Sequence, residues 1–533
     1  MPVSPTYPGV YVEEIPSGVR TITGVATSIT AFIGRAVRGP TEDPVTINSQ
    51  GDFERTFGGL HVDYPLSYAV RDFYLNGGGQ AIIVRVYKAT DAKPAKAKLD
   101  AKTLKLEAAN AGAWGNKLRA RVDNKVSGEV AARYGLAIGD LFNLTIRDTG
   151  TGVTEKYLNV TVKDSPRRID RVLKNESSLM RFPAAEALPN AVPGPHKETP
   201  AAGKTIWDDN DCSSPVADGD KAVDSAALLA ADLEGSKANK TGLYMLDKAD
   251  LFNLPCVPPD SREGDAPSSF YQTAMQYCAD RRAMLIVDPP ATWGANKDTA
   301  AATARDGLGA LNLSGIAARN AAIYFPRVQE SDPLRDGQLD TFVPCGIIAG
   351  VMARTDVNRG VWKAPAGLDA AINGIQALQV NLNDEENGML NPLGINCLRA
   401  FPISGRVVWG ARTLRGADQS ADEYKYVPVR RTALFIEESL YRGLKWVVFE
   451  PNDEPLWAQI RLNVGAFMHN LFRQGAFQGK TPREAYFVKC DGETTTQNDI
   501  NLGIVNIVVG FAPLKPAEFV IIKLQQMAGQ IEA

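Results

Sequence analysis

The sequence has few of the side chains from which catalytic and metal sites are commonly built. Among 533 residues there are three histidines, His61, His196 and His469, and they lie far apart in the chain. They offer little material for a histidine metal site or a Ser-His-Asp triad. The six cysteines are scattered, and no two are spaced as CxxC, which argues against a zinc ribbon or a dithiol redox motif. Such sparse cysteines are typical of reduced, buried thiols in a cytosolic product.

Long apolar runs and a strong charge of one sign are also missing. No uninterrupted apolar run approaches the roughly 20 residues of a membrane span. The first ten residues lack the basic and apolar regions of a secretory signal. The formal net charge is -3 and the pI about 5.9, which gives no bulk attraction to nucleic acid or anionic lipid. We therefore expect no nucleic-acid partner, no direct membrane insertion and folding in the cytoplasm.

The length predicts several domains, and changes in residue composition along the chain indicate where they lie. Residues 25–87 and 243–390 alternate short apolar strands with helical stretches, which is typical of βαβ units. Residues 88–242 are richer in turn residues and contain a hairpin pattern at 142–161. We predict a multi-domain α/β and α+β protein, in which an α/β core domain is interrupted by an inserted β-rich module at 88–242. A C-terminal α+β domain at 391–511 follows.

The most regular stretch of the chain lies at 427–479, where two amphipathic helices are predicted. The first covers about 431–442 and the second about 456–474, which at 1.5 Å per residue spans roughly 28 Å. A short strand at 445–450 and a turn at 451–455 separate them, with Asn452 or Asp453 as the cap of the second helix. The second helix has an apolar stripe and a polar side that contains Arg461 and Arg473. From the pattern alone, an ordinary surface helix is a better explanation than a partner-binding helix.

Both ends of the chain carry one strand-forming segment beside chain-breaking prolines. These arms are residues 1–24, with the strand-former GVYVEEI at 9–15, and residues 512–533, with EFVIIKL at 518–524. A lone strand cannot satisfy its own backbone hydrogen bonds, so each must pair with a sheet in this chain or in another. The side chains that would make these contacts are Val10, Tyr11, Val12, Ile15, Phe519, Val520, Ile521 and Ile522.

One carboxylate occupies a position at which α/β enzymes often place a catalytic group. Asp288 follows an apolar strand and precedes Pro289. The simpler interpretation is a turn residue whose side chain bonds the backbone. Neither a GxSxG elbow nor a Walker A motif occurs, and we assign no catalytic residue, cofactor or metal. An α/β enzyme with a site near Asp288 is kept as an alternative.

Several short motifs, in order along most of the chain, resemble the contractile tail sheath proteins of bacteriophages and of related phage-tail-like particles. Residues 124–241 match this pattern poorly. The motifs are TYPGVYVEEI at 6–15, GAWGN at 112–116, VVWGARTL at 407–414, YVPVRR, FIEESL, FEPND and LW within 426–457, GAFQG at 475–479, VKCD at 488–491 and PAEF at 516–519.

The resemblance implies a structural subunit that polymerises around an inner tube and contracts to drive the tube through a cell envelope. It implies that the terminal arms add strands to the C-terminal sheets of neighbouring copies. The C-terminal domain would face the tube, with Arg461 and Arg473 as candidate contacts, and the 88–242 module would lie outside. Implied partners are further copies, the inner tail tube protein, and baseplate and tail terminator proteins, in a virion tail or phage-tail-like particle. A receptor-binding tail component that uses the inserted module is a further alternative.

Overall fold

A computed structural model describes residues 20–90 and 93–524. Most of the predicted N-terminal arm, with Val10, Tyr11, Val12 and Ile15, lies outside these ranges. Within them, no helix is both long and apolar enough to cross a membrane.

The described residues form strands that are numbered here in chain order. They are β1 (Thr30–Gly34), β2 (Val45–Ile47), β3 (Ala81–Arg85), β4 (Lys98–Ala101), β5 (Leu104–Ala108), β6 (Leu118–Asp123), β7 (Leu141–Asp148), β8 (Thr154–Thr161), β9 (Met180–Arg181), β10 (Ser214–Pro215), β11 (Leu254–Cys256), β12 (Leu285–Val287), β13 (Ala321–Phe325), β14 (Val328–Asp332), β15 (Gln338–Phe342), β16 (Ala377–Leu378), β17 (Ile395–Phe401), β18 (Gly405–Val408), β19 (Tyr486–Lys489) and β20 (Val508–Phe511).

The α-helices are numbered in the same way. They are α1 (Gln50–Phe57), α2 (Pro65–Leu75), α3 (Gly128–Arg133), α4 (Ile169–Glu176), α5 (Ala230–Glu234), α6 (Ser268–Asp280), α7 (Ala300–Gly307), α8 (Cys345–Arg359), α9 (Asp384–Leu390), α10 (Val427–Gly443), α11 (Glu454–Arg473), α12 (Pro482–Ala485) and α13 (Gln497–Asn501).

An eight-stranded sheet forms the centre of the molecule, in the order β18-β17-β13-β12-β11-β1-β3-β2. The six strands from β17 to β3 run parallel, and β18 and β2 pair antiparallel at the two edges. Alternate side chains enter two hydrophobic cores, with Phe32 on one face and Ile33 on the other. Because both faces are buried, these strands are continuously apolar, and the predicted parallel βαβ units are confirmed.

Residues 88–242 leave this sheet after β3 and return to it before β11. They build a three-stranded sheet, β4-β5-β9, and a four-stranded sheet, β10-β6-β7-β8, over a core of their own. The predicted hairpin is confirmed as the antiparallel pair β7 and β8. His196 is buried, and Val122 satisfies two of its polar groups. The His196 backbone N–H donates to the Val122 carbonyl at 2.9 Å, and Nδ1 accepts from Val122 N–H at 3.0 Å. Burial lowers the pKa of His196 to about 4.

Helices α10 and α11 pack with the two-stranded β19–β20 sheet over a separate apolar cluster. The predicted helix at 456–474 is confirmed, and Asp453 is its N-cap. The predicted strand at 445–450 is wrong. Lys445–Val447 is a 3-10 turn, Phe449 has a left-handed φ of 72°, and the side chains of Val448 and Phe449 point into solvent. A strand there would have no neighbour in the described part of the chain.

Residues 518–524 do not form a strand with any other described segment of the chain. The predicted strand-former therefore ends the described structure without a partner strand. The predicted domain limits at 24, 87, 242, 390 and 511 stay predictions.

Candidate assembly surface

The C-terminal arm is fixed at its root by one buried arginine. Arg412 lies just beyond β18, where its backbone bridges that of Tyr426, and its side chain is completely buried. The guanidinium donates from Nε to Glu518 Oε1 at 2.8 Å and from Nη2 to Oε2 at 2.6 Å. This bidentate pairing is among the strongest geometries available to an arginine and a carboxylate.

The remaining donors and acceptors of this ion pair are also occupied. Arg412 Nη1 donates to the carbonyls of Asn391 and Gly416 at 3.0 and 3.2 Å and to Asp418 Oδ1 at 3.0 Å. The Tyr426 hydroxyl donates to Glu518 Oε2 at 3.0 Å. Burial and then the charge of Glu518 raise the pKa of Tyr426 to about 12. The network clamps one residue of the arm to loops that flank the central sheet.

Beyond the clamp, the arm presents a run of unusually exposed apolar side chains. Their exposed fractions lie between 72 and 94% for Phe519, Val520, Ile521, Ile522 and Leu524. Contiguous exposed apolar surface of this kind marks an interaction site. The four residues predicted from sequence for this arm are all in the run, and none of them has a place in a core of the described chain.

The β19–β20 sheet is a second feature with unpaired backbone groups. Its strands pair antiparallel, with Phe487 opposite Gly510 and Val488 opposite Val509. Val488 and Val509 pack towards α11, whereas the side chain of Phe487 is exposed. Two strands alone make a marginal sheet, and open edges expose backbone groups that readily pair with another strand. In the described ranges, the only further ladder contact is a single bridge between Phe477 and Pro513.

The two arginines proposed for the polar side of α11 have different environments. Arg461 donates to Glu454 Oε1 at 2.5 Å and to the Cys490 carbonyl. That hydrogen bond to Glu454 raises the pKa of Arg461. Arg473 is exposed in the last turn of the helix, where a positive charge complements the helix dipole. The residues are twelve positions apart, so they lie roughly 18 Å from each other along the axis.

Asp288 caps a helix in the core. Its Oδ1 accepts the backbone N–H of Cys345 at 2.9 Å, at the start of α8, and its own N–H donates to the Tyr271 hydroxyl at 3.2 Å. Burial raises the pKa of Asp288 to about 7. The guanidinium of Arg327 binds Asp265 and the Pro289 carbonyl instead of this carboxyl group. The side chain thus bonds the backbone, as the turn interpretation predicts, although its partner is a distant helix.

Asp288→Asn should change how stability depends on pH. Between about pH 4 and 7 the folded protein keeps a proton on Asp288 that the unfolded chain has lost, so stability falls as pH rises through this window. The asparagine cannot ionise, and the variant should gain on the parent by up to about 1.4 kcal/mol per pH unit. Calorimetric unfolding at pH 5 and pH 8 measures this gain. Asp298→Asn, at an exposed site, is the control and should show no such trend; an equal trend in both variants would contradict the assignment.

In the described part of the chain, the cysteines and acidic side chains show no metal-binding arrangement. All six cysteines are free and buried. Across residues 20–90 and 93–524, no three histidine, cysteine, aspartate or glutamate side chains are grouped so that they could hold an ion.

Sequence reasoning did not identify the clamp between Arg412 and Glu518. Both residues belong to short motifs already noted, at 407–414 and 516–519, but 105 residues lie between them. A signal did exist in Arg412, the one charged residue of VVWGARTL at 407–414, because a charged side chain that is buried in such a run requires a partner.

Comparison with known proteins finds family matches from residue 247 onward. The sequence profile of the phage tail sheath protein central domain matches residues 247–414, and that of the phage tail sheath C-terminal domain matches residues 419–526. Together they cover just over half of the chain. The tail sheath protein of Vibrio phage KVP40 is 31% identical over 127 residues, which are 24% of this chain and 18% of that protein. The match thus spans less than a fifth of that relative's length.

Solved structures share the fold over nearly the whole chain. The sheath complex of an extracellular contractile injection system, PVC, in its contracted state aligns with a TM-score of 0.57 and 21% identity over 98% of each chain. The contracted helical sheath of the anti-feeding prophage aligns with a TM-score of 0.54 and 22% identity over 98% of this chain and 100% of that one. At these identities the likeness concerns the fold.

Proposed function

Because the chain belongs to the phage tail sheath protein family, we propose that it is a structural subunit of a contractile tail sheath. Copies of the chain polymerise around an inner tube and contract to drive the tube through a target cell envelope. This role requires no cofactor and no catalytic residue. The protein acts in a virion tail or phage-tail-like particle, with further copies, the tube protein, and baseplate and tail terminator proteins as partners.

The observation that carries the proposal is that one chain contains both an exposed strand-former and a small sheet with open edges. Residues 519–524 expose apolar side chains and have no partner strand, and β19–β20 has edges without one in the described structure. When the arm of one copy is added to the sheet of another, the backbone groups of the arm and of the sheet edge pair with each other. Main-chain hydrogen bonds then supply affinity, and alternate side chains supply register. The same sheet would receive Val10, Tyr11, Val12 and Ile15 of the N-terminal arm.

The linkers allow this network to survive a large rearrangement. Residues 16–23 and 513–516 join the arms to their domains and contain Pro16, Pro513 and Pro516. Such segments absorb rotation while the ends of the arms stay bound. Ile22 of the first linker is buried beside α10 and α11, so rotation there would be absorbed before that residue. The energy of contraction is then stored in the other contacts between subunits. In this arrangement the domain at 391–511 faces the tube and the module at 88–242 lies outside.

Purified protein should form long tubes in negative-stain images. Removal of residues 1–16 should leave folded monomers, because each copy would lose one strand contact with a neighbour. Circular dichroism verifies the fold of the truncated protein and sedimentation verifies its size. Normal tubes from the truncated protein would exclude the N-terminal arm as an assembly element.

Arg473→Glu should slow assembly on the inner tube by about tenfold at low salt, because complementary charge mainly sets association rates. The effect should shrink at high salt through screening. The double variant with Arg461→Glu should be slower still, although Arg461 also supports the fold through Glu454. Light scattering with preformed tubes measures the rates. Arg483→Glu, at an exposed site, is the control. Unchanged rates in the double variant would count against α11 as the tube contact.

A further inference from the structure

A cavity of about 690 Å³ lies at the root of the C-terminal arm, next to the clamp. Two aromatic side chains of separate segments, Trp362 and Trp409, line it. Phe519 of the arm also lines it and would leave the cavity when the arm pairs with a neighbour. Carboxamides of Asn387 and Gln474 add hydrogen-bonding groups to the lining. Aromatic walls with a few polar groups are the composition of a binding groove.

The cavity is continuous with the end of the β19–β20 sheet. Residues 514–519, which follow β20 after two residues, form one of its sides. The backbone between them is held in place, since Gln478 N–H donates to the Ala512 carbonyl at 2.9 Å and Phe477 bridges Pro513. A chain that pairs with this sheet and continues past the end formed by Tyr486 and Phe511 therefore arrives at the cavity.

Basic side chains are in excess at the cavity. Arg359, Lys363 and Lys515 line it, and the one acidic lining residue, Glu518, is already paired with Arg412. Arg359 also lies 3.7 Å from Asp369, in a pair exposed to solvent. Residues 1–19 contain two glutamates and no lysine or arginine. Both glutamates, Glu13 and Glu14, belong to the strand-former at 9–15, which would bind beside the cavity, and residues 2–8 carry no charged side chain.

The first eight residues have a spacing that fits an aromatic groove. Pro2, Pro5 and Pro8 are three residues apart. A polyproline II helix has three residues per turn, so in that conformation the three rings share one face. Aromatic-lined grooves recognise proline-rich segments in this conformation. The strand-former at 9–15 follows directly.

We propose that the cavity receives residues 2–8 of a neighbouring copy, bound as a polyproline II helix against Trp409 and Trp362. The proposal rests on the proposed function, because the adjoining residues 9–15 of the same arm pair with the β19–β20 sheet. Seven residues in this conformation span roughly 22 Å at 3.1 Å each. Each N-terminal arm then carries two separate contacts, a strand on the sheet and a proline face in the cavity.

Site-specific photo-cross-linking in the assembled full-length protein separates the two contacts. A benzophenone amino acid replaces Tyr7 in one preparation and Tyr11 in another, and mass spectrometry locates the adducts. The Tyr7 probe should link to residues 359–367, 409–411 or 514–519 of a second chain, and the Tyr11 probe to β19 or β20. In the Tyr7 preparation, Trp409→Leu should lower the cross-link yield at least fivefold. Trp409→Phe, which keeps an aromatic face, should preserve most of it.

Each outcome decides between the proposals. A Tyr7 adduct away from the cavity, with the Tyr11 adduct on the sheet, overturns this inference and leaves the strand arms intact. Adducts of both probes away from these places overturn both. A Tyr7 adduct within its own chain, or no Tyr7 adduct in assembled tubes, contradicts a cavity filled by a neighbour. If Trp409→Leu leaves the cross-link yield unchanged, the Trp409 ring does not bind the segment and the proposed site is wrong.

Discussion

Arg412→Met should destabilise the region around the C-terminal arm by about 3–5 kcal/mol, the range expected when one partner of a buried ion pair is removed. Methionine fills much of the volume but supplies no donors. The carbonyls of Asn391 and Gly416 and the carboxylate of Glu518 would then lack their hydrogen-bond donors. Amide hydrogen exchange over residues 508–512, which pair with β19 and Ala485, measures the effect. A loss of 3 kcal/mol accelerates exchange by more than 100-fold, since every 1.4 kcal/mol is a factor of ten.

Two variants test whether burial causes this loss. Arg415→Met removes an arginine that pairs with Asp422 but is about one third exposed, and it should cost less than about 1 kcal/mol. Glu518→Gln keeps the shape of the acceptor and removes its charge, so its effect should fall between the other two. Exchange in Arg412→Met that stays within threefold of Arg415→Met would show that the clamp does not hold the arm.

Ending the chain after Glu518 should leave a folded protein that needs at least 100-fold higher concentration to form tubes. The truncation removes five large apolar side chains that are exposed in the single chain. Burying one such side chain contributes about 1.5–3 kcal/mol, and 100-fold corresponds to only about 2.7 kcal/mol. Sedimentation across a concentration series measures the threshold. Ending the chain after Leu524 is the matched control and should assemble like the parent protein.

Paired substitutions then show which face of the added strand is buried. Val520→Asp with Ile522→Asp changes one face, and Phe519→Asp with Ile521→Asp changes the other, because side chains alternate along a strand. One pair should raise the threshold far more than the other. Equal effects from both pairs would indicate that the arm does not bind as a strand on one face of a sheet.

The sequence predicted the elements whose pattern is local. The apolar stripe of α11 repeats at the helical period, and the buried parallel strands are short apolar runs between helices, so both were recognisable. The strand-former at 518–524, which follows Pro513 and Pro516, has no partner nearby in the sequence, and its pairing as a strand stays a prediction.

The parts that were missed depend on contacts between distant residues. Residues 445–450 have strand-like composition, but α10 and α11 are joined so closely that the segment turns, and Phe449 adopts a left-handed φ. The pairing of Arg412 with Glu518 and the burial of His196 against Val122 join segments separated by many residues. The spacing of residues within one segment does not predict such contacts, because they depend on how distant segments pack together in the fold.

The most direct test of strand exchange is a cryo-EM map of assembled tubes at a resolution that separates strands. We expect the β19–β20 sheet of each subunit to gain added strands, with residues 519–524 of one neighbour and residues 10–15 of another hydrogen-bonded to its edges. Tubes in which β19 and β20 remain a two-stranded sheet, with the arms placed elsewhere, would contradict it.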